Sequence, residues 1–183
     1  MEPTVIDHEC RKNLVEKKST PYNPYLFLDS GLPNVYLSGI KVFSCTVCGK
    51  MRAEIPAVSE LMNAIARAIV TKTSPLTGKE VQFLRKRVGI KQTDFANMID
   101  ASPEQLSRWE NDHNQLSGAM DRFIRLAYAF ISHDSKLKDL VQQVKEEFQK
   151  WSTSIHASET EERILAEYKT NRKWMAEAES LAA

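Results

Sequence analysis

Two cysteines in the run Cys45-x-x-Cys48-Gly49 have the spacing of a metal-binding turn. Thiolates two residues apart can share one metal ion, and the glycine allows backbone amides to turn toward the sulfur atoms. Structural zinc takes about four ligands in a tetrahedron. Cys10 is the obvious third ligand and His8 is the best fourth, so we expect a Cys3His zinc site.

The alternative is that Cys10 is a free thiol and that the cysteine turn holds no metal, since one CxxC pair is weaker support than two. The remaining histidines, His113, His133 and His156, lie far along the chain and are interpreted as surface residues. The charged N-terminus lacks the apolar core of a signal peptide, and no apolar run approaches a membrane span. We therefore expect a cytoplasmic protein, in which cysteines are thiols or metal ligands rather than disulfides.

A second set of residues suited to chemistry lies near the end of the run from 76 to 110, which has the pattern of three short helices. The predicted third helix has an inward pair, Leu106 and Trp109, so Glu104, Gln105 and Arg108 must point outward. Arginine matches the O6 and N7 acceptors of guanine, glutamine matches adenine, and glutamate can accept from cytosine N4. The outward side chains therefore predict a base-reading surface.

Helix-capping signals indicate how these side chains are positioned. Thr77 and Glu80 form the pattern of a capping box at the start of the first helix. Ser102 and Gln105 form the pattern of a second capping box, with Pro103 at the first helical position. Lys91 begins the middle helix. The alternative interpretation is a plain three-helix bundle, but exposed Gln and Arg at one helix start favour DNA binding.

Residues 80–127 resemble the Xre-type helix-turn-helix of phage repressors. The matching residues are Leu84-Arg85, Gly89-Ile90, Gln92, Phe95-Ala96, Ser102 and Ser107-Arg108-Trp109-Glu110. The resemblance implies an ion pair between Arg85 and Glu110 and a phosphate contact for Gln92. It extends the expected DNA surface to Lys91, Gln92, Thr93, Ser102, Glu104, Gln105 and Arg108. Lys91 stands where the family has a Ser or Thr cap, and Asp100 where it has a turn glycine.

A wider stretch, 8–130, resembles the MqsA/YgiT-type zinc-finger antitoxins. The matching residues are Ser30-Gly31-Leu32, Asn34-Val35, Leu37, Gly39-Ile40, Cys45-x-x-Cys48-Gly49, Ile55-Pro56, Leu76-Thr77-Gly78, Glu80 and Phe83-Leu84-Arg85. This resemblance implies a zinc domain that contacts a toxin and a second domain that dimerises and represses its own operon. The chain has His8-x-Cys10 where that family usually has a further CxxC.

These elements predict a mainly α protein. We expect a β-containing zinc-knuckle domain with a closing helix over 1–70, a linker over 71–75, a helix-turn-helix domain over 76–132 and a helical extension over 133–183. Short strands are predicted on either side of the turn cluster 29–34. Apolar residues from 137 to 151 have the spacing of one face of an amphipathic helix. The charged, Ala-rich end of the chain has the pattern of a solvated helix with Trp174 as its one apolar anchor.

The composition is that of a folded protein, with 42% hydrophobic and 27% charged residues. A net charge of +1 means that any basic DNA-binding surface is local. No P-loop, dinucleotide-binding glycine pattern, HExxH or GxSxG occurs, so we expect no enzymatic activity. Three functional hypotheses remain open: an antitoxin that binds both toxin and DNA, a stand-alone regulator, and a zinc-based protein-interaction module.

Overall fold

A computed structural model describes residues 14–132, 162–168 and 174–180 of this chain. The strands in these ranges are β1 Leu14–Lys18, β2 Tyr25–Leu26, β3 Val35–Ser38, β4 Lys41–Cys45, β5 Met51–Glu54, β6 Glu162–Tyr168 and β7 Trp174–Ser180. The helices are α1 Val58–Thr71, α2 Gly78–Arg87, α3 Gln92–Met98, α4 Pro103–Glu110 and α5 Gly118–Ile131, with a 3-10 turn at Leu28–Ser30. None of the helices in these ranges has both the length and the apolar character needed to cross a bilayer.

The strands form two sheets. Strands β1, β4 and β5 make an antiparallel sheet in the order β1-β4-β5, with Leu14 paired to Cys45 at one end. The second sheet has the order β2-β3-β6-β7, in which β3 and β6 are parallel and the other pairs are antiparallel. The strands predicted around the turn cluster 29–34 are confirmed. The turn itself is the 3-10 segment, closed by Gly31 in the left-handed conformation with φ of 80°.

The helical extension predicted for 133–183 is wrong for the residues that the structure describes, because 162–168 and 174–180 are strands. Intrinsic propensity favours helix in an Ala- and Glu-rich run, but the pairing of β6 with β3 overrides it. Trp174, predicted as the apolar anchor of a helix, is instead the first residue of β7; it is 5% exposed, and its indole N–H donates to the Pro56 carbonyl at 2.9 Å. The amphipathic helix predicted around 137–151 lies outside the described residues.

Helix α1 lies between the four-stranded sheet and the remaining helices. It begins after Pro56, as the helical spacing of its apolar residues predicted, and it packs against β6 and β7. Leu61, Ile65 and Ile69 are fully buried. They belong to a hydrophobic cluster that extends from the sheets to α5, so the N-terminal sheets and the helices share a core.

The short segment between α1 and α2 is anchored by a buried arginine of α5. Arg125 Nη1 donates to the carbonyls of Ile69, Val70 and Lys72 at 2.9 Å each, and Nη2 donates to the Ser74 carbonyl at 2.7 Å. Its Nε donates to Asp121 at 2.7 Å. The end of α1 and the start of the segment are therefore fixed to α5.

Two further contacts continue this anchor into α2. The second carboxylate oxygen of Asp121 accepts from the Leu76 amide. Lys72 Nζ lies 3.0 Å from Glu80 Oε2, and both side chains are almost completely buried. The positions of α1 and α2 are thus connected by paired charges and not by apolar packing alone.

Trp174→Ala should lower the free energy of unfolding by about 3–5 kcal/mol, because it removes a large buried side chain and leaves a cavity. Urea denaturation followed by circular dichroism measures this change. The neighbouring Met175, on the same strand, is 47% exposed, and Met175→Ala should change stability by less than about 0.5 kcal/mol. Equal, small changes in the free energy of unfolding at both positions would contradict the burial of Trp174.

Candidate nucleic-acid interface

The first helix of this region, α2, begins at the predicted capping box. The Thr77 hydroxyl accepts from the Glu80 amide at 3.3 Å, and the Glu80 carboxylate accepts from the Thr77 amide at 2.7 Å. Val81 and Leu84 are buried against the neighbouring helices. The helix ends at Arg87, and Gly89, with φ of 73°, allows the chain to turn toward α3.

Helix α2 and the end of α4 are joined by a buried, bidentate ion pair. Arg85 Nε donates to Glu110 Oε1 at 2.6 Å and Nη2 donates to Oε2 at 2.9 Å. Arg85 is 8% and Glu110 is 1% exposed. The remaining guanidinium nitrogen donates to the Ile90 carbonyl at 3.1 Å, so one arginine fixes both the α2–α3 turn and the end of α4.

Gln92, the first residue of α3, is connected to the same pair. Its side-chain Nε2 donates to Glu110 Oε2 at 3.0 Å. An amide nitrogen carries two donors, so this bond leaves the second N–H of Gln92 for another acceptor. Glu110 therefore fixes the start of α3 relative to the end of α4.

The turn between α3 and α4 uses an aspartate in place of glycine. Asp100 has φ of 54°, in the left-handed region that Asp tolerates better than most residues. Phe95 and Ala96 of α3 and Ile99, which follows the helix, are buried at 1%, 0% and 2% exposure, which keeps α3 close to α4. Asp100 thus adopts the left-handed backbone conformation for which the Xre-type pattern has a glycine.

Helix α4 begins at Ser102, whose hydroxyl accepts from the Gln105 amide at 3.1 Å, with Pro103 at the first helical position. Leu106 and Trp109, on the inward face of this helix, are buried. Glu104, Gln105 and Arg108 are exposed. The helix thus presents one polar face outward while its opposite face is fixed by apolar packing and by Glu110.

The outward face of α4 borders a shallow depression of about 330 Å³. Its lining residues are Ser102, Glu104, Gln105, Arg108 and Asn114. Asn114 was not predicted as a site residue. It lies in the polar loop after α4, and the polar run Asn111–Gln115 beside the outward arginine was the available signal.

The other predicted DNA-contacting residues lie at the start of α3. Lys91 and Thr93 are exposed, and Gln92 is half-buried. Thr93 Oγ1 is within 3.4 Å of Asp94 Oδ1. The start of α3 and the outward face of α4 therefore carry Lys91 and Arg108 as cations and Asp94 and Glu104 as exposed acids, so the local charge is mixed.

Two of the predicted zinc ligands, Cys45 and Cys48, lie elsewhere, at the end of the three-stranded sheet. Cys45 is buried at the end of β4, whereas Cys48 is exposed in the turn before β5. The Gly49 amide donates to the Cys45 carbonyl at 3.0 Å, and Gly49 has φ of 69°. Cys10 and His8 lie outside the described residues. Within 14–132, 162–168 and 174–180, no group of three or more metal-binding side chains is assembled.

A comparison with family models matches residues 81–120 to the helix-turn-helix family. The match runs from Val81 in α2 to the first turn of α5 and includes the Arg85–Glu110 pair and the outward face of α4. Residues 81–120 are therefore a helix-turn-helix domain of the Xre type. Domains of this type belong to DNA-binding transcription regulators. Comparisons with curated proteins and with solved structures gave no match.

Glu110→Ala should lower the free energy of unfolding by about 3–5 kcal/mol, because it leaves the Arg85 guanidinium buried without its partner. Thermal and urea denaturation measure the change. Glu104→Ala, an exposed acid on the same helix, is the matched control and should have little effect. If both variants are as stable as the parent, the pair does not hold the domain folded.

Proposed function

We propose that this protein is a sequence-specific DNA-binding repressor that reads its operator with α4. The observation that carries the proposal is the outward face of α4, where Gln105 and Arg108 are exposed while Glu110 is held by Arg85 on the opposite side. A rigid helix that presents polar side chains near its N-terminus has the form required to reach base edges in the major groove. The helix-turn-helix family match supports this role.

The side chains of α4 and α3 divide between base contacts and phosphate contacts. Arg108 suits guanine, Gln105 suits adenine, and Glu104 suits the amino group of cytosine. Lys91, Gln92, Thr93 and Ser102 contact phosphates and set the register on the duplex. For Gln92, the N–H that is not bonded to Glu110 is the donor available to a phosphate oxygen.

A homodimer on a palindromic operator is the assembly we propose, because paired recognition helices then lie about one DNA turn apart. An exposed apolar strip on α5 supports it: Phe123 is 46% and Phe130 is 70% exposed, seven residues apart on the same helix. Such a face is suited to isologous packing against a second copy.

A structural zinc ion is proposed at the cysteine turn. Two features fit it: the left-handed Gly49 after Cys48, and the register that places Leu14 opposite Cys45. Cys10 is four residues before Leu14, and four residues span at most roughly 14 Å, so the chain connection permits Cys10 to reach the turn. Bound zinc would cross-link the start of β1 to the β4–β5 turn and stabilise the small sheet.

The finer role that we propose is that of the antitoxin in a type II toxin-antitoxin system, which binds its toxin and represses its own operon. The support is the resemblance of the stretch 8–130 to the MqsA/YgiT type. The alternative is a stand-alone regulator. Recovery of the tagged full chain from its host at near-physiological salt separates the two: the product of an adjacent small gene together with the chain's own promoter supports the antitoxin, and promoter alone supports the regulator.

Arg108→Ala should weaken binding to the cognate operator by about 1–3 kcal/mol and relax the sequence preference at one base pair. Fluorescence anisotropy on the operator and on duplexes with single substitutions, at one fixed salt concentration, measures both effects. Arg52→Ala, at an exposed arginine of β5, is the matched control and should bind as the parent does. A uniform loss of affinity on every duplex would make Arg108 a phosphate contact instead.

Metal analysis by mass spectrometry of the purified full chain should find about one zinc ion per chain, since the expected ligand set is one tetrahedral site. Cys45→Ser combined with Cys48→Ser should abolish it, and Cys10→Ser should reduce it. His113→Ala, at an exposed histidine in the loop between α4 and α5, is the control and should retain the metal. Absence of metal from the parent protein purified without chelator would exclude the zinc site.

A further inference from the structure

A cleft separate from the α4 surface opens between the 3-10 turn, α1 and α2. Its volume is about 270 Å³. Met62 of α1 and Phe83 of α2 provide apolar lining, and Ser30 with Gly31 forms the wall on the sheet side. Gly31 contributes no side chain, and an added Cβ there would point into open space.

Three cations lie around this apolar lining: Lys79, Lys86 and Arg87. Lys79 and Lys86 are exposed, seven residues apart on α2, and so lie on the same face of the helix. Arg85, which holds α4, projects from a different side of α2. The cleft is therefore on a face of α2 other than the one that supports the recognition helix.

None of these three cations is paired with a carboxylate of the described residues. Lys86 Nζ bonds to the neutral Gln82 amide oxygen at 3.2 Å. Arg87 Nη2 donates to Asn63 Oδ1 at 2.7 Å and to the Ser59 carbonyl at 3.3 Å, both neutral acceptors on α1. Lys79 makes no hydrogen bond or ion pair in the described part of the chain.

The buried cations of the same region are treated differently. Lys72, Arg85 and Arg125 each have a carboxylate partner, at 3.0, 2.6 and 2.7 Å. Within the part of the chain that the structure describes, the positive charge of the three cations around this apolar cleft is thus not compensated by a carboxylate. A ligand that combines negative charge with an apolar group complements this surface.

We propose that the cleft docks an acidic segment of a partner protein, with one apolar side chain of that segment packed on Met62 and Phe83 and with its carboxylates paired to Lys79, Lys86 and Arg87. A peptide is favoured over a DNA backbone because a duplex offers phosphates but no apolar side chain to fill the hollow. The cleft would give the protein a binding site for a protein partner that does not compete with operator contacts on α4.

The experiment uses the full chain and an array of acidic octapeptides, each with a single Leu, Ile or Phe among glutamates, beside matched arrays with glutamine in place of glutamate. The acidic peptides should bind more tightly than their glutamine counterparts, and added salt should weaken them. Lys79→Glu combined with Lys86→Glu should weaken the best peptide by roughly tenfold or more in fluorescence anisotropy.

Lys17→Glu combined with Lys18→Glu makes the same change of net charge on the exposed strand β1 and should leave peptide binding close to that of the parent. Phe83 is buried, so Met62→Ala, at a half-buried position, tests the apolar lining with less risk to folding. It should weaken the peptide with the bulky side chain more than an all-glutamate peptide.

Two outcomes would overturn the proposal. One is that acidic peptides bind no better than the glutamine arrays, or that the cleft variant binds them as the parent does. The other is that the cleft variant keeps its fold but loses operator affinity as strongly as Arg108→Ala, which would assign these lysines to DNA phosphates. Loss of DNA binding in Arg108→Ala with intact peptide binding would leave the cleft independent of the repressor function.

Discussion

The arrangement of the recognition helix depends on one buried carboxylate. Glu110 accepts two hydrogen bonds from Arg85 and one from Gln92, so a single side chain connects α2, the start of α3 and the end of α4. A buried charge is tolerated only when it is paired and hydrogen-bonded, and these three bonds satisfy that condition. Because the bonds are directional, they fix orientation in a way that the packing of Leu106 and Trp109 alone does not.

A second buried ion pair, Arg125 with Asp121 of α5, plays the corresponding part between α1, α2 and α5. Its arginine donates hydrogen bonds to four carbonyls, two in the last turn of α1 and two in the segment that follows it. Its aspartate accepts a hydrogen bond from the Leu76 amide, which precedes α2. Backbone groups that a helix end would expose are thereby satisfied within the protein.

The sequence was sufficient for features that depend on neighbours along the chain. The capping box at Thr77, the start of α4 at Ser102 and the outward direction of Arg108 follow from local spacing, and the structure has each of them. The strands β6 and β7 were missed because the pairing of β6 with β3, on which their place in the sheet depends, is nonlocal and outweighs a helical composition. The cleft was missed for a similar reason: Met62, Phe83 and the 3-10 turn are distant in sequence. The predicted domain boundaries stay predictions.

The parallel pairing of β3 with β6 has a consequence for the order in which the chain can fold during synthesis. Val35 pairs with Ile164, so most of the chain must leave the ribosome before the inner edge of β3 is covered. Until then, an apolar strand edge with unpaired backbone groups is open to other chains. The helix-turn-helix, built from contacts close in sequence, can form earlier. A nascent or prematurely terminated chain would therefore combine a folded helix-turn-helix with an uncovered β3 edge, which promotes aggregation.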